Sequence, residues 1–226
     1  MIVALFDSDG TLYSNQMGRG MMKYEELYGN KTAARLYFAT LLPGSVRNKM
    51  GLMKPTAFQE LLLKGLTKFI RGLNRKEAAP KFEWLVKEFL LPSERIDVVA
   101  RLKEHQSQGH LVVIASGSFA PALDLIGKYF GVTDLIGTQL EVSNDRYTGR
   151  MIPPVITGKA KAETVRELLS RRGVEVDWSS SYAYGDSFTD REMLSLVGHP
   201  VAVYPDKKLF ALATEQNWEM IGTRKD

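Results

Sequence analysis

The sequence predicts an α/β fold, a mostly parallel sheet with helices on both faces and an all-helical insertion after the first strand. Three observations predict it. Short runs rich in apolar residues recur at 2–6, 111–115, 181–184 and 200–203, the signature of strands buried on both faces. Longer amphipathic stretches separate them, as crossover helices require. Between the first two runs lies a segment rich in Met, Leu, Lys and Glu and poor in β-branched runs.

Taken in order, Ile2, Val3, Ala4, Leu5 and Phe6 make a strand that stops at Asp7-Ser8-Asp9-Gly10-Thr11. Residues 13–95 form the helical insertion, and Pro43-Gly44, Lys54-Pro55, Ala79-Pro80 and Leu91-Pro92 divide it into helices. Leu61, Leu62, Gly65, Leu66 and Phe69 share one helical face, and Phe82, Leu85, Val86 and Phe89 another. Residues 96–108 read as a helix closed by Gly109, and 111–115 as the second strand, ending at Ser116-Gly117-Ser118. A helix over 121–130 ends at Gly131, and 134–139 read as a short strand. A hairpin over 140–151 turns at Asn144-Asp145. A helix over 161–172, a third strand at 181–184, a helix over 190–197, a fourth strand at 200–203 and a helix over 209–216 complete the chain.

Composition narrows the function. The 226 residues are 44% apolar and 25% charged, which excludes a disordered chain. With no cysteine, a disulfide framework, a thiolate metal site and a cysteine nucleophile are excluded, and a reducing, cytoplasmic compartment is expected. No leader or membrane-length apolar run is evident. The net charge of +4 is only mildly basic, and no nucleic-acid partner is expected. That charge is unevenly spread. Residues 13–95 hold 15 Lys and Arg against 7 Asp and Glu, a net of +8, so the remainder is −4.

In an open parallel sheet, ligands bind beyond the carboxyl ends of the strands. Four polar clusters fall there or beside it. Asp7 and Asp9, two residues apart, suit a nucleophile and a proton donor. Ser116-Gly117-Ser118 supplies hydroxyl and N–H groups for an anion, or a helix cap. In Gly158-Lys159-Ala160-Lys161 one ammonium can neutralise a phosphate. Asp186 and Asp190, four apart, suit a hard cation such as Mg²⁺, or a helix start.

In this order, Asp7-Ser8-Asp9-Gly10-Thr11-Leu12, Ser116-Gly117, Lys161 and Gly185-Asp186-Ser187-Phe188-Thr189-Asp190 resemble the four motifs of the haloacid dehalogenase (HAD) superfamily. The insertion resembles the small cap of its phosphoserine-phosphatase-like subfamily IB. The resemblance implies a Rossmann-like core at 1–12 and 96–226 with a helical cap at 13–95. It implies a phosphatase that hydrolyses a small phosphorylated metabolite, with Mg²⁺ as cofactor. Asp7 would form an aspartyl-phosphate and Asp9 would serve as acid and then base. Ser116, the Gly117 N–H and Lys161 would hold the phosphoryl group, Lys161 being preferred over Lys159. Asp186, the Asp7 carboxylate and the Asp9 carbonyl would bind the metal, with Asp190 behind them. The alternatives are transfer to another acceptor, as in a mutase, and a non-catalytic phosphate-binding module.

The match departs from phosphoserine phosphatases at two places. Gln16 stands where they carry a Glu for the substrate ammonium. Two helical turns after Phe58, where they carry an Arg for its carboxylate, stand Gly65 and the adjacent Lys64. Gln16, Phe58 and Lys64 are thus the candidate specificity residues, and phosphoserine is not expected as the main substrate. Tyr13, Tyr24, Met21, Met22, Met50 and Met53 are expected chiefly to pack the cap. His199 is read as structural and Ser8 has no assigned role.

Overall fold

A computed structural model describes residues 1–223, apart from the Lys49 side chain. Seven strands form one sheet in the order β4-β3-β2-β1-β5-β6-β7. All pair in parallel except the β3–β4 hairpin. β1 (Val3–Phe6) lies at the centre between β2 (Leu111–Phe119) and β5 (Tyr182–Gly185). Its side chains alternate between two cores. Ala4 and Phe6 pack with the insertion helices, and Val3 and Leu5 pack on the opposite face. The order of strands reverses between β1 and β5, so a crevice opens at their carboxyl ends.

The insertion contains α1 (Met17–Tyr28), α2 (Lys31–Lys49), α3 (Pro55–Leu66) and α4 (Arg75–Trp84), the last continuing as a π-helical turn, Leu85–Leu90. Pro55 opens α3 as the sequence suggests. Pro43 and Pro80 do not end helices; each lies inside one. Both are exposed, and so are Ala39 and Lys76, whose carbonyls lose their N–H partners. Asn74 and Glu77 form a reciprocal cap on α4. The buried Glu25 carboxylate accepts from Lys81 and from the Asn30 N–H, tying α1 to α4.

Beyond the insertion come α5 (Ile96–Ser107), α6 (Ala120–Phe130), β3 (Asp134–Ser143) and β4 (Arg146–Ile152). Asn144 and Asp145 both adopt positive φ, 48° and 60°, as a two-residue hairpin turn requires. α7 (Gly158–Arg171) begins three residues earlier than the sequence suggests. α8 is a single turn, Arg191–Leu194, and β6 (His199–Val203) and α9 (Lys207–Glu215) follow. β7 (Glu219–Ile221), a short, partly exposed edge strand, has no apolar run to announce it. Among the described residues, no helix is long and apolar enough to cross a membrane.

Candidate active site

Asp7 continues β1, its N–H donating to the Tyr184 carbonyl at 2.9 Å, and its carboxylate is buried at the crevice. Lys161, in the first turn of α7, is only 3% exposed. Its Nζ donates to Asp7 Oδ1 at 2.7 Å and to Asp190 Oδ1 at 2.6 Å. The other oxygen of Asp190 accepts from the Ser187 N–H and hydroxyl, at 3.1 and 2.8 Å. Burial pushes the Asp7 carboxyl up to about 7 against the opposing pull of Lys161. Burial alone would lower Lys161, but Asp190 and Asp7 outweigh it and hold the ammonium charged.

The Asp9 carboxylate turns toward α1. It accepts from the Met17 N–H at 2.8 Å, the Tyr13 hydroxyl at 2.9 Å and the Ser118 hydroxyl at 3.0 Å. It thereby satisfies the first N–H of α1, whose Gln16 cap makes no side-chain bond. Burial raises its pKa despite those donors.

Ser116, Gly117 and Ser118 lie within β2, not beyond it. The pairing of β2 with β3 is irregular between Ala115 and Phe119, which frees this stretch to bend. Ser8 explains part of its shape, because its hydroxyl donates to Ser116 Oγ at 2.6 Å. Gln59 of α3 is another residue that sequence reasoning missed. It accepts from the Thr157 hydroxyl and stands 2.9 Å from where a Cβ on Gly117 would be. Gly10, at φ +85°, leaves room for the Asp186 carboxylate, which a Cβ there would overlap and displace.

Asp7, Asp186 and Asp190 each offer a carboxylate oxygen within 4.8 Å of the others. Three buried oxygen ligands of this kind fit a hard divalent cation, with no soft donor present. The Asp9 side chain is not in this group; only its carbonyl remains available for the role the resemblance implies.

The candidate lysines separate cleanly. Lys159 points to solvent and pairs with Glu163, while Lys161 joins the carboxylates. Among the specificity candidates, Gln16 and Phe58 line the cavity above the aspartates, and Lys64 does not. Six residues after Phe58, Lys64 sits roughly 120° around the helix, on the exposed side, whereas Gly65 returns to the inner face. Gly65 has no room for an Arg, because Tyr37 packs against it. Met22 also lines the cavity, Tyr13 and Met21 are core, and Met50 is exposed. His199 stacks on Tyr182 with ring centres 4.6 Å apart, at the sheet end remote from the crevice.

The haloacid dehalogenase-like hydrolase family matches residues 4–195. The chain is 30% identical to the phosphoserine phosphatase SerB1 of Mycobacterium tuberculosis over 96% of its own length and 69% of that protein. It is 27% identical to a histidinol-phosphatase of Neisseria meningitidis, covering 97% of each. A crystal structure of a Bordetella pertussis protein of unknown function has the same fold, with a TM-score of 0.83 at 24% identity over 97% of both chains. Fold, motif order and relatives agree that this chain is an enzyme of phosphatase type belonging to the haloacid dehalogenase-like hydrolase family.

Proposed function

We propose that the chain is a Mg²⁺-dependent phosphomonoesterase working through an aspartyl-phosphate on Asp7, with a catalytic core at 1–12 and 96–226 and a cap at 13–95. The observation that carries this reading is the buried Lys161 clamped between Asp7 and Asp190 at the sheet crevice, with Asp186 beside them. Asp7, Asp186 and the Asp9 carbonyl would hold Mg²⁺. Bound there, the ion supplies the positive charge that lets a carboxylate approach a phosphate dianion.

Asp7 attacks phosphorus as the bond to the leaving oxygen breaks. Asp9, its pKa raised by burial, gives that oxygen a proton. Asp9 then takes a proton from the water that attacks the phosphoaspartate, freeing Asp7 and inorganic phosphate. Lys161, Ser116 and the Gly117 N–H hold the phosphoryl oxygens, and Asp190 keeps Lys161 in place. Positioning and charge compensation of this kind supply most of what phosphoryl transfer needs.

Phosphoserine is not the main substrate in this reading. Gln16 is neutral, Lys64 faces solvent and Gly65 cannot be replaced by a long side chain. The test is phosphate release from p-nitrophenyl phosphate with Mg²⁺, which EDTA abolishes and Asp7→Asn lowers at least ~10³-fold. Near-normal turnover by a folded Asp7→Asn protein refutes the mechanism. Accumulation of a transfer product with a competing alcohol would redirect it to a phosphotransferase.

A further inference from the structure

We infer that the leaving group this site accepts is an elongated apolar alcohol without a cationic group, which runs from the aspartates up between α1, α2 and α3. This rests on the phosphomonoesterase reading above and specifies its substrate class.

The cavity over Asp7 has a volume of about 530 Å³. Its negative charge is confined to one end. The carboxylates that line it, Asp7, Asp9, Asp186, Asp190 and Asp206, all belong to the strand ends and the α9 cap, on the floor. Among the described residues, none of the lining contributed by α1, α2 or α3 is acidic. A substrate ammonium held between these helices would therefore meet no counter-charge there. The walls are instead formed by side chains such as Leu41, Phe58, Leu62, Leu63 and Leu66. Gln16, Ser45, Asn48 and Gln59 add neutral polarity, and Arg19 is the sole cation of these helices in the lining.

A second groove, of about 550 Å³, adjoins the cavity between α1 and α2. Arg19, Met22 and Phe38 line both, and the far wall of the groove is Ala34 and Phe89. Phe38 is 57% exposed and Leu42, which lines the first cavity, is 52% exposed. In this inference an alkyl chain too long for the first cavity passes Met22 and Phe38, the two apolar side chains that border both spaces, to reach the second. The outer groove carries Arg19, Lys23 and Arg35 against Glu26, so it does not favour a cationic terminus either.

The test is kcat/KM with Mg²⁺ across ethyl, butyl, hexyl, octyl and dodecyl phosphate, kept below micelle-forming concentrations. Each added methylene is expected to raise kcat/KM about two- to fourfold, the upper figure corresponding to full burial. Ethyl to octyl should then differ by at least roughly fiftyfold. Dodecyl should exceed octyl in the wild type, and Phe38→Asp should remove that gain. Six-aminohexyl phosphate, phosphoserine and histidinol phosphate should each fall at least tenfold below hexyl phosphate. Calorimetric binding of the matching alkylphosphonates, which needs no turnover, should show affinity rising with chain length and a negative heat-capacity change. Turnover of p-nitrophenyl phosphate with a flat alkyl series, or with an amino phosphate preferred, overturns the inference and leaves the phosphatase standing. No turnover of any monoester overturns the phosphatase, and chain-independent phosphonate binding overturns the apolar tunnel as well. A plateau from octyl to dodecyl overturns the route into the outer groove.

Discussion

Gly10 offers a way to separate what the backbone needs from what the site needs. An alanine at φ +85° is in the left-handed region, which costs about 1–2 kcal/mol for a residue bearing a Cβ. The new Cβ would lie 2.6 Å from Asp186 Cγ, whereas ordinary contact begins at 3.4 Å. The carboxylate must retreat by about 1 Å, and a misplacement of that size at a reacting centre costs ~10²-fold in rate. Gly109 is the control. It has φ +73°, and a Cβ there would meet nothing within 4 Å, so Gly109→Ala carries the same backbone penalty with no collision. Both variants should melt roughly 2–8 °C below the wild type, as expected for a chain of this size. Only Gly10→Ala should lose phosphate release, by about a hundredfold at saturating Mg²⁺. If Gly10→Ala works within about threefold of Gly109→Ala, the Asp186 carboxylate is not held where the reaction needs it, and the assignment falls.

Other substitutions probe the charges. Lys161→Met should cost metal-free protein about 3 kcal/mol or more in urea denaturation, because it strands two buried carboxylates; exposed Lys159→Met should stay within about 0.5 kcal/mol. Equal effects would refute the clamp. Mg²⁺ at a hundredfold over its Kd should stabilise the protein by ~2.7 kcal/mol, and Asp186→Asn should abolish that rise in Tm. A full Mg²⁺ response in Asp186→Asn would exclude it as a ligand. His105 tests pH dependence behind the sheet, where its ring lies 6.1 Å from that of Phe6 and its Nε2 is 2.9 Å from the Tyr184 hydroxyl. Burial, then the neighbouring His110, lowers its pKa from 6.5 to about 4. Between those values the unfolded chain takes up the proton first, so this histidine's contribution is intact above pH 6.5 and is lost as pH falls toward 4, up to about 3 kcal/mol. His105→Gln should flatten that slope in denaturation midpoints; an unchanged slope would rule it out.

The strand ends were legible because a strand buried on both faces leaves a run rich in apolar residues, and the runs at 2–6, 111–115 and 181–184 are each followed by a polar cluster. β7 was not legible, because Glu219, Met220 and Ile221 lie on an edge and need no apolar run. Lys161 was preferred over Lys159 through the family resemblance. Their contacts in the structure separate them, but phase does so weakly: from the centre of the stripe marked by Ala162, Val165 and Leu169, position 161 lies roughly 70° to one side and 159 roughly 90° to the other. The same arithmetic would have removed Lys64 from the specificity candidates. Ser8 and Gln59 carry no such signal. Ser8 meets Ser116 across 108 residues through the pairing of β1 with β2, and Gln59 meets Thr157 across 98 through the docking of the insertion on the sheet; neither contact follows from a local pattern.

Charge accounting explains why the floor and walls of this cavity differ so sharply. Two of the floor carboxylates are already satisfied by neutral donors: Asp9 by three, and Asp206 by the N–H groups of Phe188, Lys208 and Leu209. Asp7, Asp186 and Asp190 share the neighbourhood of a single buried lysine. A phosphate dianion adds further negative charge, and in a buried site that sum is prohibitive without a divalent cation. The apolar walls make this demand steeper, because excluding water strengthens repulsion and attraction alike. They also make the compensated state more effective, since fixed dipoles and cations act most strongly where water cannot reorganise against them. A tail-shaped leaving group that fills the space between α1, α2 and α3 would therefore do more than identify the substrate. By displacing water from over Asp7 it would complete the low-dielectric surroundings in which Lys161 and a bound cation stabilise the transferring phosphoryl group, so chain length should raise kcat as well as lower KM.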